Sequence, residues 1–259
     1  MTTLTALLLF LLVLMLAVGG ISGLRSFLSV VINTCLIILV ALLISWGVNI
    51  CLAAVIFIPL KLLTIIYLGT HNSRVAKSAF TCALLVTVAL SAVIIVFQWF
   101  AQAAGLGDQA GEEVVGLSLL PGLSYPQIGI LVAIFSTLGA IAEASVAMSA
   151  GLLSLHQHRP NLTSQQLLAS GTSMGQDILG TAINTILFGF FGSFLPLFIW
   201  YQRLNYSLDQ IFNDKLFIIN GLIILYSLIG VVMVIPLTSW LLSKQLSQPA
   251  KVEHHHASN

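Results

Sequence analysis

A chain of 259 residues that is 58% hydrophobic and only 7% charged cannot clothe a water-soluble surface, which carries about 25% charged residues. Lipid must cover it instead. The formal net charge of +1 excludes the strong basic field that recruits nucleic acid.

The hydrocarbon core of a bilayer is about 30 Å thick and takes about 20 apolar residues per helix. On that ruler the chain reads as all-α, a polytopic transmembrane helix bundle of about seven helices. The spans fall at Leu4–Val18, Phe27–Trp46, Asn49–Leu68, Ala79–Ala104, Gln127–Leu155, Asp177–Trp200 and Leu216–Leu242. They make one transmembrane domain over residues 1–243, followed by a polar cytoplasmic tail over 244–259. No Lys or Arg precedes the first span, so it reads as a retained membrane helix rather than a leader.

Gly19-Gly20-Ile21-Ser22-Gly23 breaks the first pair of spans, and Gly47 marks a tight turn between the second and third. Pro59 and Pro236 lie inside spans and are expected to kink them, because proline leaves a backbone carbonyl without its partner. Lys61, within reach of one end of its span, is expected to snorkel to the interface. Cys35, Cys51 and Cys82 sit in apolar runs and read as buried free thiols, with no metal-ligand spacing. Gly105–Pro126 reads as an external, solvated connector. Thr163 and Gln166 make a capping box, so a helix should start near Ser164, lie partly in the interface and then enter the membrane. The His254-His255-His256 tail is not expected to hold a metal. Ser22-Gly23 before Asn33-Thr34, and Ser170-Gly171 before Asn184-Thr185, form a weak internal echo of the repeats that build many transporters.

Arg25, Arg74, Lys77, Arg159, Lys244 and Lys251 follow alternate spans, against Arg203 and Lys215 on the other side. The positive-inside rule then puts the N-terminus outside and the C-terminus in the cytoplasm. Trp46, Trp99, Trp200 and Trp240 fall near span ends, as an aromatic belt requires.

Two acids stand where membrane helices should carry none: Glu143 in the fifth span and Asp177 in the sixth. Ser136, Gly139, Glu143, Ala147 and Ala150 recur at helical spacing and share a face. That face is small apart from the acid, and small faces let helices approach closely in lipid. Ser170, Ser173, Asp177, Thr181 and Asn184 form a second stripe, beside Thr185 and Gly180. Gly171 and Gly175 make a small-xxx-small pair for helix packing. Glu143 lies 12 residues before Leu155 and Asp177 lies 13 after Ser164. In an antiparallel hairpin the acids are expected to meet at one level, near mid-membrane. Each costs about 2.5–3.5 kcal/mol at a helix centre. Low dielectric and a neighbouring carboxylate both favour the neutral acid, so at least one of the two is expected to carry its proton at neutral pH. A proton- or cation-coupling site then comprises Glu143, Asp177, Asn184, Thr185 and Thr181, with Gly139, Gly171, Gly175 and Gly180 as packing positions. The other reading is a structural clamp, in which the protonated acid, Asn184 and Thr185 bond across helices.

Enzyme readings fail. Met174-Gly175-Gln176-Asp177 is not the Gly-x-Gly-Asp of an intramembrane aspartyl protease, and Glu112-Glu113 lacks the Arg of the prenyl-protease pattern. No Ser/His pair lies inside a span. No phosphate-binding glycine loop is present, and no cofactor or metal is expected.

Leu138-Gly139-Ala140-Ile141-Ala142-Glu143, the run Ser170-Gly171-Thr172-Ser173-Met174-Gly175-Gln176-Asp177-Ile178-Leu179-Gly180-Thr181, then Asn184-Thr185-Ile186-Leu187, Gly192 and Pro196 carry a likeness. The chain resembles the YibE/F family of bacterial multi-pass membrane proteins, in its shorter, YibF-like type, from about Gly19 to Leu242. The family usually has Asp where Glu143 stands and often Arg where Gln176 stands. The loss of that cation argues against a stable ion pair with Asp177. The resemblance implies a bacterial plasma membrane, a partnership with a longer YibE-like protein, and a loose description as transport or efflux proteins. The acid helix, short cytoplasmic loop and Ser…Asn-Thr helix are also similar to the membrane halves of SecD/SecF and related proton-driven permeases, by pattern analogy alone.

Two functions follow as expectations. One is a proton- or cation-coupled transport or efflux component. The other is a structural subunit that assembles with a longer YibE-like partner, or as a homo-oligomer, and transports nothing alone.

Overall fold

The computed structural model describes residues 2–101 and 124–246. Most of the expected 105–126 connector and the histidine tail lie outside the described residues. The described residues are all-helical: α1 Thr3–Ser45, α2 Ile50–Gly69, α3 Ser73–Ala101, α4 Tyr125–His158, α5 Ser164–Arg203, the short α6 Leu208–Phe212, and α7 Lys215–Leu246. Six of these are long and apolar enough to cross a membrane.

The first two expected spans are joined in α1, whose 43 residues would reach about 65 Å if straight, twice the hydrocarbon core. The helix is broken at Gly20, with φ 55° and ψ −135°, in the half of dihedral space that glycine enters without penalty. The bend brings Gly23 onto the backbone of Met15, where any Cβ would collide with the Met15 carbonyl. Gly47, with φ 87°, makes the expected turn into α2. The Asn49 side chain caps that helix by accepting from Cys51 N at 2.8 Å. Pro59, Pro196 and Pro236 are all carried inside helices.

The capping box at Thr163 and Gln166 forms, and α5 starts at Ser164. It then runs without interruption to Arg203, so its interfacial and membrane parts are one helix. A second box, Ser207 with Gln210, opens the unexpected α6.

The core is built by α3, α4 and α7, whose buried faces include Ala79, Ala83, Leu90, Leu138, Ile141, Met148, Val231 and Val234. Lipid tails are as apolar as these side chains, so close packing and hydrogen bonds between helices must hold the bundle. Ser145 Oγ donates to the Ala79 carbonyl across the α3–α4 contact at 2.8 Å. Gly230 admits Ile141 and Leu90 against its backbone.

Outside this core, α2 packs on α3 and α4, α5 packs on α4 and α7, and α1 packs on α2. A polar cluster ties α1 to α2. Ser29 Oγ donates to the Thr64 carbonyl at 3.1 Å, and Thr64 Oγ1 donates to Asn33 Oδ1 at 3.2 Å. At one end Arg25 and Ser22 both reach His71. Trp46, Trp99, Trp200 and Trp240 are all exposed near helix ends. Cys82 is buried as expected, whereas Cys35 and Cys51 are exposed on the outer faces of α1 and α2. Lys61 does not snorkel. It is 4% exposed, with Nζ 5.1 Å from the centre of the Phe135 ring, because α4 packs over the face of α2 that carries it.

Candidate functional site

The α4 helix divides cleanly by face. Ile141, Ala142, Ala144, Ser145 and Met148 are buried, while Ser136, Gly139, Glu143, Ala147 and Ala150 form an exposed strip. The 3.6-residue period generates both faces, and Glu143 sits at the middle of the open one.

The α5 helix divides three ways. Gly171 and Gly175 are buried against α7: a Cβ at Gly171 would stand 2.8 Å from Ser239 Oγ, and one at Gly175 would collide with Ile235. Ile178, Ala182, Thr185 and Ile186 turn towards α4. Asp177 lies two residues past Gly175, roughly 200° around the helix, and so faces away from α7. Asp177, Thr181, Asn184 and Thr185 are exposed. Gly139 and Gly180 have open space where a side chain would go, so they do not share the packing position of Gly171 and Gly175.

A cleft of about 180 Å³ lies between α4 and α5. Glu143 lines it with Thr181 and Thr185, and its apolar wall comes from Ala140, Ala144 and Ala147 opposite Ile178, Ala182 and Ile186. Asp177 and Asn184 are not in the lining. Asp177 lies one helical turn before Thr181, whose Oγ1 donates to the carbonyls of Asp177 at 3.2 Å and Ile178 at 3.0 Å.

The two acids are offset along the hairpin. Gly151 faces Met174, and Gly175 lies near Met148. Running that register back along antiparallel helices puts Glu143 level with residues 180–182. Asp177 is therefore roughly 5–8 Å nearer the α4–α5 loop. The expectation of one shared level took Leu155 as the end of its helix, but α4 continues to His158.

Among the described residues neither carboxylate has a hydrogen-bond or ion-pair partner. Lys61 is the one buried charged side chain among them, and it lies on the opposite flank of α4. It sits over Phe135, eight residues before Glu143 and about 12 Å along the axis. A larger hollow of about 420 Å³, lined by Ser193, Phe194, Trp200 and Asn220 among others, has no charged side chain. A third, of about 170 Å³ between α5 and α7, has none either. Among the described residues no group of His, Cys, Asp and Glu is placed to hold a metal.

The sequence model of YibE/F-like proteins matches residues 7–248. The chain belongs to the YibE/F family. The match takes in both acids and, apart from the first residues of α1, every helix. No curated protein and no solved structure matches the chain, so the site in this YibE/F-like protein is read from its own residues. Sequence periodicity found the acid, its small strip and the two threonines. It missed the burial of Lys61, for which the signal was present: Phe57, Lys61 and Thr64 share one face of α2, and Phe57 and Thr64 are buried too.

Proposed function

We propose that this protein is a proton- or cation-coupled transport or efflux component of the bacterial plasma membrane, with Glu143 as the loading carboxylate. One observation carries the reading. An acid costing about 2.5–3.5 kcal/mol at a helix centre lines a cleft with two hydroxyl side chains and is engaged by no other described residue. A structural acid would recover its cost through hydrogen bonds; an acid that takes up and releases a cation has to be left open. Asp177, Thr181 and Thr185 then form a polar track along one face of α5, from about one turn on the loop side of Glu143 to just past its level. Asp177 is the nearer relay group and Thr181 the hydroxyl between the two acids. Asn184 lies on the same face, about two turns past Asp177. The chemistry needed is proton or cation exchange at a carboxylate, without bond-making catalysis.

The test is a pH-gradient assay in proteoliposomes. Glu143→Gln should abolish gradient-driven flux, Glu143→Asp should retain a measurable part of it, and both should melt within a few degrees of the parent. Equal flux in the parent and Glu143→Gln would overturn the reading.

A second reading is favoured by a different observation. None of the most apolar stretch of α5 is buried, and Asp177 lies on its open side. A helix of that kind suits a subunit covered by a longer YibE-like partner. On that reading Glu143→Gln is silent, while a bulky residue at Gly180, which has open space beside it, breaks assembly.

A further inference from the structure

The cleft beside Glu143 has a shape and a donor set that select among cations. A hard divalent cation such as calcium or magnesium takes six or more oxygen ligands, and zinc takes a tetrahedral set built mainly from His and Cys. This cleft offers one carboxylate and two hydroxyl groups, and the Thr181 proton goes to its own helix carbonyls, so at most three side chains present oxygen to a cation. The remaining wall is methyl and methylene surface from Ala140, Ala144, Ala147, Ile178, Ala182 and Ile186. A bare inorganic ion would leave that wall without a partner and its own shell half empty. An alkylammonium ion satisfies both, since its head needs one counter-charge and its alkyl groups need apolar contact. At about 180 Å³ the cleft is below the ~300–1,000 Å³ of pockets that hold drug-sized molecules, so the ligand is small. The buried Lys61 ammonium over Phe135 makes the α2 flank of α4 repel the same ligand, which leaves the α5 flank as its place.

We propose that the α4–α5 cleft binds a small organic ammonium ion, its head on the Glu143 carboxylate and its alkyl groups on the alanine and isoleucine walls. This inference rests on the transport reading and names the class of cation handled.

The test uses the full chain in nanodiscs, with n-butylammonium as the probe and n-butanol and butyrate as its neutral and anionic counterparts, read by titration calorimetry. Saturable binding is expected for butylammonium and not for the other two. Glu143→Gln should weaken it at least tenfold, and Glu143→Asp should keep it. Ala147→Leu, which fills the cleft while leaving the charge in place, should lose it. Equal binding of butanol, full competition by potassium at the probe's own concentration, or unchanged binding by Glu143→Gln would each overturn the proposal. If Glu143→Gln fails to fold, Ala147→Leu and the three-probe comparison decide. Ammonium binding without flux sinks the transport reading and leaves the site standing. Proton flux without ammonium binding does the reverse.

Discussion

Glu143 and Lys61 are two charges in one bundle that solve their problem differently. The Lys61 stem is packed, and its ammonium lies against the Phe135 ring, an arrangement that recovers part of the cost of burial. Glu143 has no such contact among the described residues and opens into the cleft. Lys61→Met keeps the stem volume and removes a buried charge. It should therefore leave the thermal midpoint unchanged or raise stability by something on the order of 1 kcal/mol. A large loss in a melting experiment would mean that the ammonium serves an anion. Asp177→Asn tests the offset between the acids. If Asp177 is a relay group nearer the loop, its loss should slow gradient-driven flux by about tenfold or less, whereas loss of Glu143 removes it. Identical, complete loss from both would restore a single shared site. The residue types were legible in the sequence because an acid in an apolar helix stands out by its cost alone. Their relative level was not, since it depends on where α4 ends and on which residues of α4 and α5 interlock.

Among the helices, α5 best separates packing from openness. Gly175 lies against Ile235 and Gly180 against nothing, although both are glycines in one helix five residues apart. Gly175→Leu should destabilise the fold by about 1–3 kcal/mol through overpacking. Gly180→Ala should stabilise it by about 0.5–1 kcal/mol, because alanine loses less backbone freedom in a helix. Thermal melts of the two variants check both signs, and the same sign in both would contradict the assignment of faces. The start of α5 could be read from Thr163 and Gln166 because a capping box is a local signal. The same signal stands at Ser207 and Gln210, in a short polar stretch between two long apolar ones. The bend of α1 was legible from its glycines, but the approach of Gly23 to Met15 was not, being a contact across the bend. Gly23→Ala places a Cβ on that carbonyl and should disrupt the α1 bend, seen as loss of a monodisperse species in size-exclusion chromatography.

For the whole molecule, composition alone settled the class. A chain with 7% charged residues belongs in lipid, and six long apolar helices fit that environment. Helix order and family also followed from local patterns. The layering did not, because apolar stretches of similar hydropathy do not announce which of them will be central. That role fell to α3, α4 and α7, whose small residues permit close approach, while α1 and α5 stayed at the periphery. This leaves the acid-bearing side of α4 and α5 open, with Glu143 in a cleft rather than in the core. A carboxylate that exchanges protons or cations must be reached by water. With Cys35→Ser, Cys51→Ser and Cys82→Ala as background, Glu143→Cys should be treated with a charged, membrane-impermeant thiol reagent in sealed vesicles. A cleft open to water gives rapid modification from one side of the membrane. A thiol inert to the charged reagent from both sides, yet modified by a lipid-soluble maleimide, would put position 143 against lipid and contradict the coupling role of Glu143.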